Sequence, residues 1–190
     1  MFSSAITQLF SLRTSSHQIP AFATFPNTSL LGHPLIIYHS AFSPASATAT
    51  SVEKHLRKVG VVEPRWRYTM YRQHHYHSTT HEVLVVTNGG ARLCFGGPPE
   101  KANEGRVEVR VRRGDVMIVP AGVSHALMED EGKFEMVGSY PKEAESWDMC
   151  TGQEEERGEA WDTIRGLKWF EKDPIYGDEG PVLSSKDDKE

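Results

Sequence analysis

The stretch His75-Tyr76-His77-Ser78-Thr79-Thr80-His81-Glu82 lies between two runs of strand-forming residues. Residues two apart in a strand point to the same face, so His75 and His77 can present their imidazoles side by side. After the Ser78–Thr80 turn, Glu82 begins the next strand and can place its carboxylate on the same inward face. The spacing therefore predicts a metal site shared by two neighbouring strands.

A further ligand must come from a distant part of the chain, and His125 is the candidate. Gly114-Asp115 and Pro120-Ala121-Gly122 are turn elements that precede a strand starting at Val123. Three imidazoles and one carboxylate suit a divalent transition metal and leave positions open for substrate or oxygen. By the same alternation His81 points away from the site. A lone histidine is most often a structural residue, but this set at these spacings favours a metal centre.

Strand signals continue on both sides of this stretch. Short runs rich in β-branched or alternating apolar residues are separated by Gly and Pro turns, at Pro34–Tyr38, Trp66–His77, Glu82–Thr87, Ala91–Phe95, Val107–Val111, Val116–Val119, His125–Met128 and Phe134–Tyr140. One helix capped by Ser51 and ended by Gly60 precedes most of them. The pattern predicts an all-β sandwich or barrel, because helices do not alternate with the strands.

Two motifs resemble those of the cupin superfamily. The first is His75-Tyr-His77, four residues, Glu82, six residues and Gly89; the second is Gly114, five residues, Pro120-Ala-Gly122, two residues and His125. The resemblance implies a double-stranded β-helix, or jelly-roll barrel, of six to eight strands with an N-terminal arm and short flanking helices. It also implies a homodimer and one metal ion held by His75, His77, Glu82 and His125.

The resemblance extends from about Leu12 to Leu183. RRGDVMIVPAGVSH at 112–125 and DPIYGDEGP at 173–181 are similar to a group of small single-domain cupins of bacteria and fungi, of the cupin type-1 kind, without a general assigned reaction. We therefore expect a flexible segment 1–11, one domain over 12–183 and a flexible tail 184–190. Within the domain, the barrel core is expected at about 66–140 and an outer layer at 141–183.

Three residues are candidates for pocket-lining or acid/base roles. Tyr71 and Gln73 share the parity of His75 in the predicted strand. Glu129 stands four residues after His125, where the second cupin motif often has Asn. Its carboxylate is open to three interpretations: a partner of the metal ligands, a pocket acid or a surface residue. Cys94 is expected to be a small buried residue on a strand.

Charge is distributed unevenly along the chain. Residues 1–52 contain no Asp, Glu or Lys, whereas residues 141–190 hold 15 acids and seven bases. The acid-free start allows a mitochondrial presequence as an alternative to the expected cytoplasmic location. The aromatics Trp147, Trp161 and Trp169 predict that the acidic segment packs against the barrel or a dimer partner, with a helix from Glu154–Glu156 to near Lys168.

The net charge and the hydrophobic pattern of the chain argue against two classes of partner. The 21 basic and 26 acidic residues give a net charge of −5, which does not favour nucleic acid. The sequence contains no apolar run of about 18 residues, so we expect no membrane partner. The expected partners are a small-molecule substrate and a second copy of the chain.

Three kinds of function fit the predicted site. The first is an oxygenase-type reaction at Fe(II) or Mn(II), with Zn, Ni or Cu as alternative metals. The second is an oxygen-independent isomerase, decarboxylase, cyclase or lyase, in which Glu129, His81 or Tyr71 acts as acid or base. The third is a non-catalytic protein that binds a small acid or sugar.

Overall fold

The computed structural model describes residues 5–100 and 102–184. Nine strands form two antiparallel sheets in these residues. The strands are β1 (Arg13–His17), β2 (Leu35–His39), β3 (Val62–Tyr68), β4 (Glu82–Asn88), β5 (Gly90–Phe95), β6 (Val107–Arg112), β7 (Val116–Val119), β8 (His125–Asp130) and β9 (Glu135–Pro141). The larger sheet has the order β1-β2-β7-β4-β9-β3, and the smaller has the order β6-β5-β8.

Short helices flank the sheets, as predicted. They are α1 (Ala49–Val59), α2 (Arg157–Arg165) and α3 (Pro181–Ser184), with single 3₁₀ turns at Leu9–Ser11, Asn27–Ser29 and Glu154–Glu156. In α1 the side chain of Thr48, not Ser51, caps the N-terminus by accepting from the Ser51 amide. Gly60 ends the helix in the left-handed conformation, as the sequence indicates. Within the described residues, no helix is both long and apolar enough to span a membrane.

The hydrophobic pattern explains the position of each strand. All four residues of β7 and the first six of β4 are buried, which is typical of strands at the centre of a sheet covered on both faces. In β6 the valines alternate with more exposed charged residues, and this strand lies at an edge. The predicted all-β fold is therefore confirmed.

The turn at Gly89 carries the chain from one sheet to the other. β4 pairs with β7 and β9, whereas β5 pairs with β6 and β8. Gly89 has φ +60°, and a Cβ there would lie 2.2 Å from the carbonyl oxygen of Gly132. Only glycine fits this corner without strain.

One core fills the space between the two sheets. Leu84 and Met117 of the large sheet pack with Leu93, Phe95 and Leu127 of the small sheet. Phe95 of this core lies next to His125, with 6.4 Å between the ring centroids. The jelly-roll architecture therefore supports the site from one direction with a dry, close-packed layer.

The opposite face of the large sheet is covered by α1 and by the C-terminal segment. Trp169, Phe170 and Val182 pack with Tyr38 and Val85 in this second core. The carboxylate of Asp173 holds the segment, because it accepts from the Tyr38 hydroxyl at 2.5 Å and from the Ile175 amide at 2.8 Å. Part of the acidic segment therefore forms a layer over the large sheet.

Two boundaries differ from the prediction. Residues 5–11 already bond to the domain, for example from the Thr7 amide to the carbonyl oxygen of Ala41 at 2.8 Å, so the arm begins before Leu12. The strand predicted over Trp66–His77 starts earlier and ends at Tyr68, because the chain bends at Arg72 and Gln73. Residues 1–4 and 185–190 of the predicted flexible ends lie outside the described residues.

Candidate metal centre

A short antiparallel bridge brings His75 and His125 together. The His125 amide donates to the carbonyl oxygen of His75 at 2.9 Å. The His75 amide donates to the carbonyl oxygen of His125 at 3.3 Å. His77 is anchored by the Gly122 amide, which donates to its carbonyl oxygen at 2.9 Å. The backbone of the second motif therefore aligns the first, and the three imidazoles converge.

Each imidazole has one ring nitrogen paired with a backbone carbonyl oxygen. Nδ1 of His75 bonds to Gln73 at 2.9 Å and Nδ1 of His125 to Val123 at 3.0 Å, and Nδ1 of His77 bonds to Asp148. A carbonyl oxygen can only accept, so these contacts assign the proton to Nδ1 and leave the lone pair on Nε2. Second-sphere contacts of this kind fix the tautomer and orientation of metal-binding histidines.

The three histidines can hold a metal ion together. All three are buried, and their ligand atoms lie within 4.8 Å of one another. Their free nitrogens are the ligand type that zinc and first-row transition metals bind most often in proteins. The donor set thus fits a divalent metal, and it does not specify which one.

Glu82 lies beside this cluster at the start of β4. Its Oε1 is 3.5 Å from Nε2 of His77, and its Oε2 is 3.5 Å from Nε2 of His125. The Tyr140 hydroxyl donates to Oε1 at 3.0 Å and itself accepts from Nε1 of Trp66 at 2.8 Å. A chain of two hydrogen bonds therefore orients the carboxylate toward the imidazoles.

Electrostatics keep most of these groups in the form that binds metal. Burial lowers the pKa of His125 to about 3 and also lowers the pKa of His75. Burial opposes ionisation of Glu82, but the charge of His77 outweighs it and lowers the Glu82 pKa to about 2. Burial opposes protonation of His77 too, and Glu82 overcomes it and raises the His77 pKa. Glu82 therefore favours the protonated form of His77, and a metal ion would compete with that proton.

The cluster faces an open cavity of about 410 Å³. Its buried wall is apolar and includes Met70, Leu84 and Met136. Its outer part is formed by exposed side chains, named here the rim: Tyr68, Tyr71, Trp147 and Met149. A small molecule can therefore reach the histidines from solvent through an apolar opening.

A loop at residues 146–149 closes one side of the cavity. The Asp148 carboxylate accepts from the Ser78 amide at 2.7 Å and the Ser78 hydroxyl at 2.6 Å, in the turn between His77 and Glu82. Backbone pairing between Tyr76 and Cys150 extends this attachment, because the Cys150 amide donates to the carbonyl oxygen of Tyr76 at 2.9 Å. This C-terminal loop is therefore fastened to the first motif.

Of the two strand residues predicted to line the pocket, Tyr71 lines the cavity and Gln73 does not. Tyr71 lines the cavity, and its ring meets the His75 ring edge to face at 5.6 Å between centroids. The exposed Gln73 side chain does not line the cavity, and Gln73 acts on His75 through its carbonyl oxygen. The alternation that predicts a pocket position for Gln73 is broken by the bend at Arg72 and Gln73.

Glu129 lies outside the cavity. Its side chain is 55% exposed, and Oε2 is 3.6 Å from Nε of Arg92. Strict alternation from His125 and Leu127 would turn residue 129 inward. The register between β5 and β8 shifts between Leu127 and Glu129, and this irregularity turns the side chain to the outer face opposite Arg92. Of the three interpretations of Glu129, the structure supports the surface residue.

His81 and Cys94 are buried and do not line the cavity. Nδ1 of His81 accepts from the Ala121 amide at 2.9 Å, and Nε2 bonds to the carbonyl oxygen of Lys168 at 3.1 Å. Burial lowers the pKa of His81 to about 4, so the ring stays neutral and joins the second motif to the C-terminal segment. Cys94 is fully buried and does not line the cavity, as expected for a small apolar residue.

Four residues of the site are absent from the sequence-based candidates: Trp66, Tyr140, Trp147 and Asp148. Tyr140 had a usable signal, because it shares strand parity with Met136 and Gly138 in β9. Asp148 and Trp147 had none, since they lie in an irregular segment placed by long-range contacts.

The comparisons with known proteins agree with this architecture. The model of the Cupin family matches residues 45–140. The uncharacterized protein YjlB of Bacillus subtilis (strain 168) is 32% identical over 150 residues, which are 79% of this chain and 84% of YjlB.

Solved structures with a similar arrangement include two larger proteins. Procruciferin, an 11S globulin from Brassica napus, is 11% identical with a TM-score of 0.35, over 80% of this chain and 28% of its own. An oxalate decarboxylase is 15% identical with a TM-score of 0.34, over 62% of this chain and 23% of its own. The chain thus spans less than a third of either. On the family match and the Bacillus relative, this chain belongs to the cupin family.

Proposed function

We propose that this cupin is a mononuclear metal-dependent enzyme acting on a small molecule, with His75, His77, His125 and Glu82 as ligands and Fe(II) or Mn(II) as the metal. The observation that carries the proposal is the convergence of three Nε2 atoms and one buried carboxylate on an open cavity. A bound Fe(II) or Mn(II) would supply redox or Lewis-acid chemistry to a substrate oxygen atom. Zn, Ni and Cu are accommodated by the same donors.

The protein's own residues prepare the cavity for this chemistry. The carbonyl oxygens of Gln73, Val123 and Asp148 hold the rings, so the imidazoles need no reorganisation when they act. Tyr140 and Trp66 orient the Glu82 carboxylate. The apolar wall lowers the polarity beside the histidines, which strengthens electrostatic contacts there.

The oxygenase-type reaction is our preferred assignment. An oxygen-independent isomerase, decarboxylase, cyclase or lyase would need a proton-transfer group near the substrate. Of the three acid/base candidates, Glu129 lies outside the cavity and both ring nitrogens of His81 are bonded. Tyr71 alone lines the cavity. This distribution supports a reaction that relies on the metal more than on a protein acid.

Oxygen consumption tests the assignment. Protein loaded with Fe(II) or Mn(II) is offered catechols, enols, thiols and keto acids, with dissolved oxygen and products followed together. We expect oxygen uptake coupled to product with at least one class, and none with the His75→Ala variant. Turnover without uptake would assign the oxygen-independent chemistry instead. Tight binding of small acids without any turnover would assign a binding protein.

We also propose that the chain forms a homodimer. The large sheet ends in β1 and β3, and each of these strands has a pairing partner on one side only in the described residues. Such edges are suited to pairing with a second copy. Sedimentation equilibrium is expected to give twice the chain mass of 21.3 kDa.

A further inference from the structure

Four of the five large hydrophobic side chains that are exposed in the described residues belong to the rim. Tyr68, Tyr71, Trp147 and Met149 are 52%, 48%, 45% and 40% exposed, and all four line the metal-site cavity. The fifth, Phe10, is 93% exposed and lies outside it. Exposed apolar side chains gathered around one opening mark a binding site.

The rim contacts the histidines directly. The Trp147 ring meets the His77 ring edge to face at 5.7 Å between centroids, and the Tyr71 ring meets the His75 ring in the same way at 5.6 Å. Tyr68 extends this surface, with its ring 5.6 Å from that of Tyr71. A ligand bound at the histidine nitrogens therefore has these aromatic rings within reach.

The cavity is lined by two arginines as well as by the Glu82 carboxylate. Arg65 and Arg67 line it, and Arg67 is paired with Glu53 on α1 at 2.6 Å. Within the described ranges, no carboxylate lies at ion-pair distance from Arg65. This residue is the extra one in an irregularity of β3 between Pro64 and Trp66, a feature that re-aims a side chain. Arg65 is therefore available to pair with an anionic group of a ligand.

We propose that the rim selects a planar aromatic acid, with its ring on Trp147, Tyr71 and Tyr68 and its anionic oxygen atoms toward the histidines and Arg65. The inference rests on the proposed function and adds the class of substrate to it. Trp147 is the residue that determines this specificity. Asp148 positions it, because the Asp148 carboxylate and carbonyl oxygen fasten the loop to Ser78 and His77.

Two matched acids test the proposal. Salicylate and 2-hydroxycyclohexanecarboxylate both carry a carboxylate beside a hydroxyl, and only the first has a planar ring, which makes its hydroxyl a phenol. Calorimetric titration of metal-loaded protein is expected to show about tenfold tighter binding of salicylate, the effect of one or two aromatic contacts. Trp147→Leu should reduce this ratio at least about threefold, and Trp147→Phe should restore part of it. Phe10→Leu, which removes an exposed ring outside the cavity, should leave it unchanged.

The same titrations separate the failure of this proposal from the failure of the metal assignment. Repeating them on chelator-treated protein measures the ratio without metal, and the preference for salicylate should persist at weaker affinity. If the protein holds no metal but keeps the ratio, the proposed function fails and the aromatic specificity stands. Equal affinities in the wild type, or a ratio unchanged by Trp147→Leu, would overturn the specificity. So would a dimer that binds neither acid and dissociates on Trp147→Leu, because the rim would then be an interface between copies.

Discussion

The backbone carbonyl oxygen of Asp148 accepts a hydrogen bond from Nδ1 of His77. Asp148 lies outside the segment 45–140 that matches the family model, yet it orients a histidine of the first motif. The Asp148 carboxylate bonds to the adjacent Ser78 as well. The orientation of the histidine cluster therefore depends on the C-terminal segment as well as on the barrel.

Replacing Asp148 by Ala should weaken the centre without removing a ligand. The variant loses the bonds to Ser78 and lets the loop move away from His77. We expect a loss of about 1–3 kcal/mol in the free energy of unfolding and a roughly tenfold to hundredfold loss of metal affinity. Denaturant unfolding and metal titration measure the two effects. Asp162→Ala is the control, since its exposed pair with Arg165 should contribute under about 1 kcal/mol. Unchanged metal affinity in Asp148→Ala would contradict the role of the loop.

Replacing Tyr140 by Phe should disturb the Glu82 carboxylate and leave the three imidazoles of the site in place. The change removes the donor to Glu82 and leaves Nε1 of Trp66 without its acceptor. We expect a destabilisation of about 1–2 kcal/mol and a metal affinity lowered about tenfold. Tyr176→Phe makes the same chemical change far from the cavity, where the hydroxyl donates to Thr7. If both variants keep full affinity, the hydroxyl does not support the carboxylate.

His81 gives a pH dependence of stability with a definite sign. Burial lowers its pKa from 6.5 to about 4 in the folded protein, so the unfolded chain takes up the proton more readily. The free energy of unfolding should therefore fall as the pH is lowered from about 6.5 to about 4, by about 3 kcal/mol from this group. His81→Gln can keep both backbone contacts and cannot titrate, so its profile should be flatter by that amount. Parallel profiles for the two proteins would refute this assignment.

Asp173→Asn tests the attachment of the outer layer. Asp173 accepts from the Tyr38 hydroxyl, the Ile175 amide and the Val182 amide, and it is fully buried. An amide nitrogen placed against such donors leaves at least one bond unmade, so we expect a loss of about 2 kcal/mol in thermal unfolding. Asp178→Asn removes only an exposed pair with Lys172 and should change stability by under about 1 kcal/mol. A similar loss in both variants would show that the buried carboxylate has no special role.

The strands and the histidine cluster could be predicted because their signals are local. Alternation within a short strand places His75 and His77 together, and turn residues before His125 deliver it to the same end of the barrel. Burial of whole runs such as β4 and β7 follows from their composition. These features depend on a few consecutive residues and on backbone geometry that is the same in every strand.

Other parts of the site depend on irregular backbone or on distant contacts. The bend at Gln73 and the register shift before Glu129 each interrupt the alternation, and both side chains are exposed. Trp147 reaches the rim only because Asp148 bonds to Ser78, a contact that spans 70 positions. No periodicity in the sequence encodes such a contact, so the rim emerges only from the three-dimensional structure.

The central claim is that His75, His77, His125 and Glu82 hold one metal ion. Its most direct test is the metal content of purified protein, measured by mass spectrometry for the wild type, His125→Ala and His74→Ala. His74 adjoins the cluster in sequence and is not part of it, so it is the matched control. We expect about one divalent transition metal ion per chain in the wild type and in His74→Ala, and almost none in His125→Ala. Full metal content in His125→Ala, or none in the wild type after loading with Fe(II) or Mn(II), would contradict it.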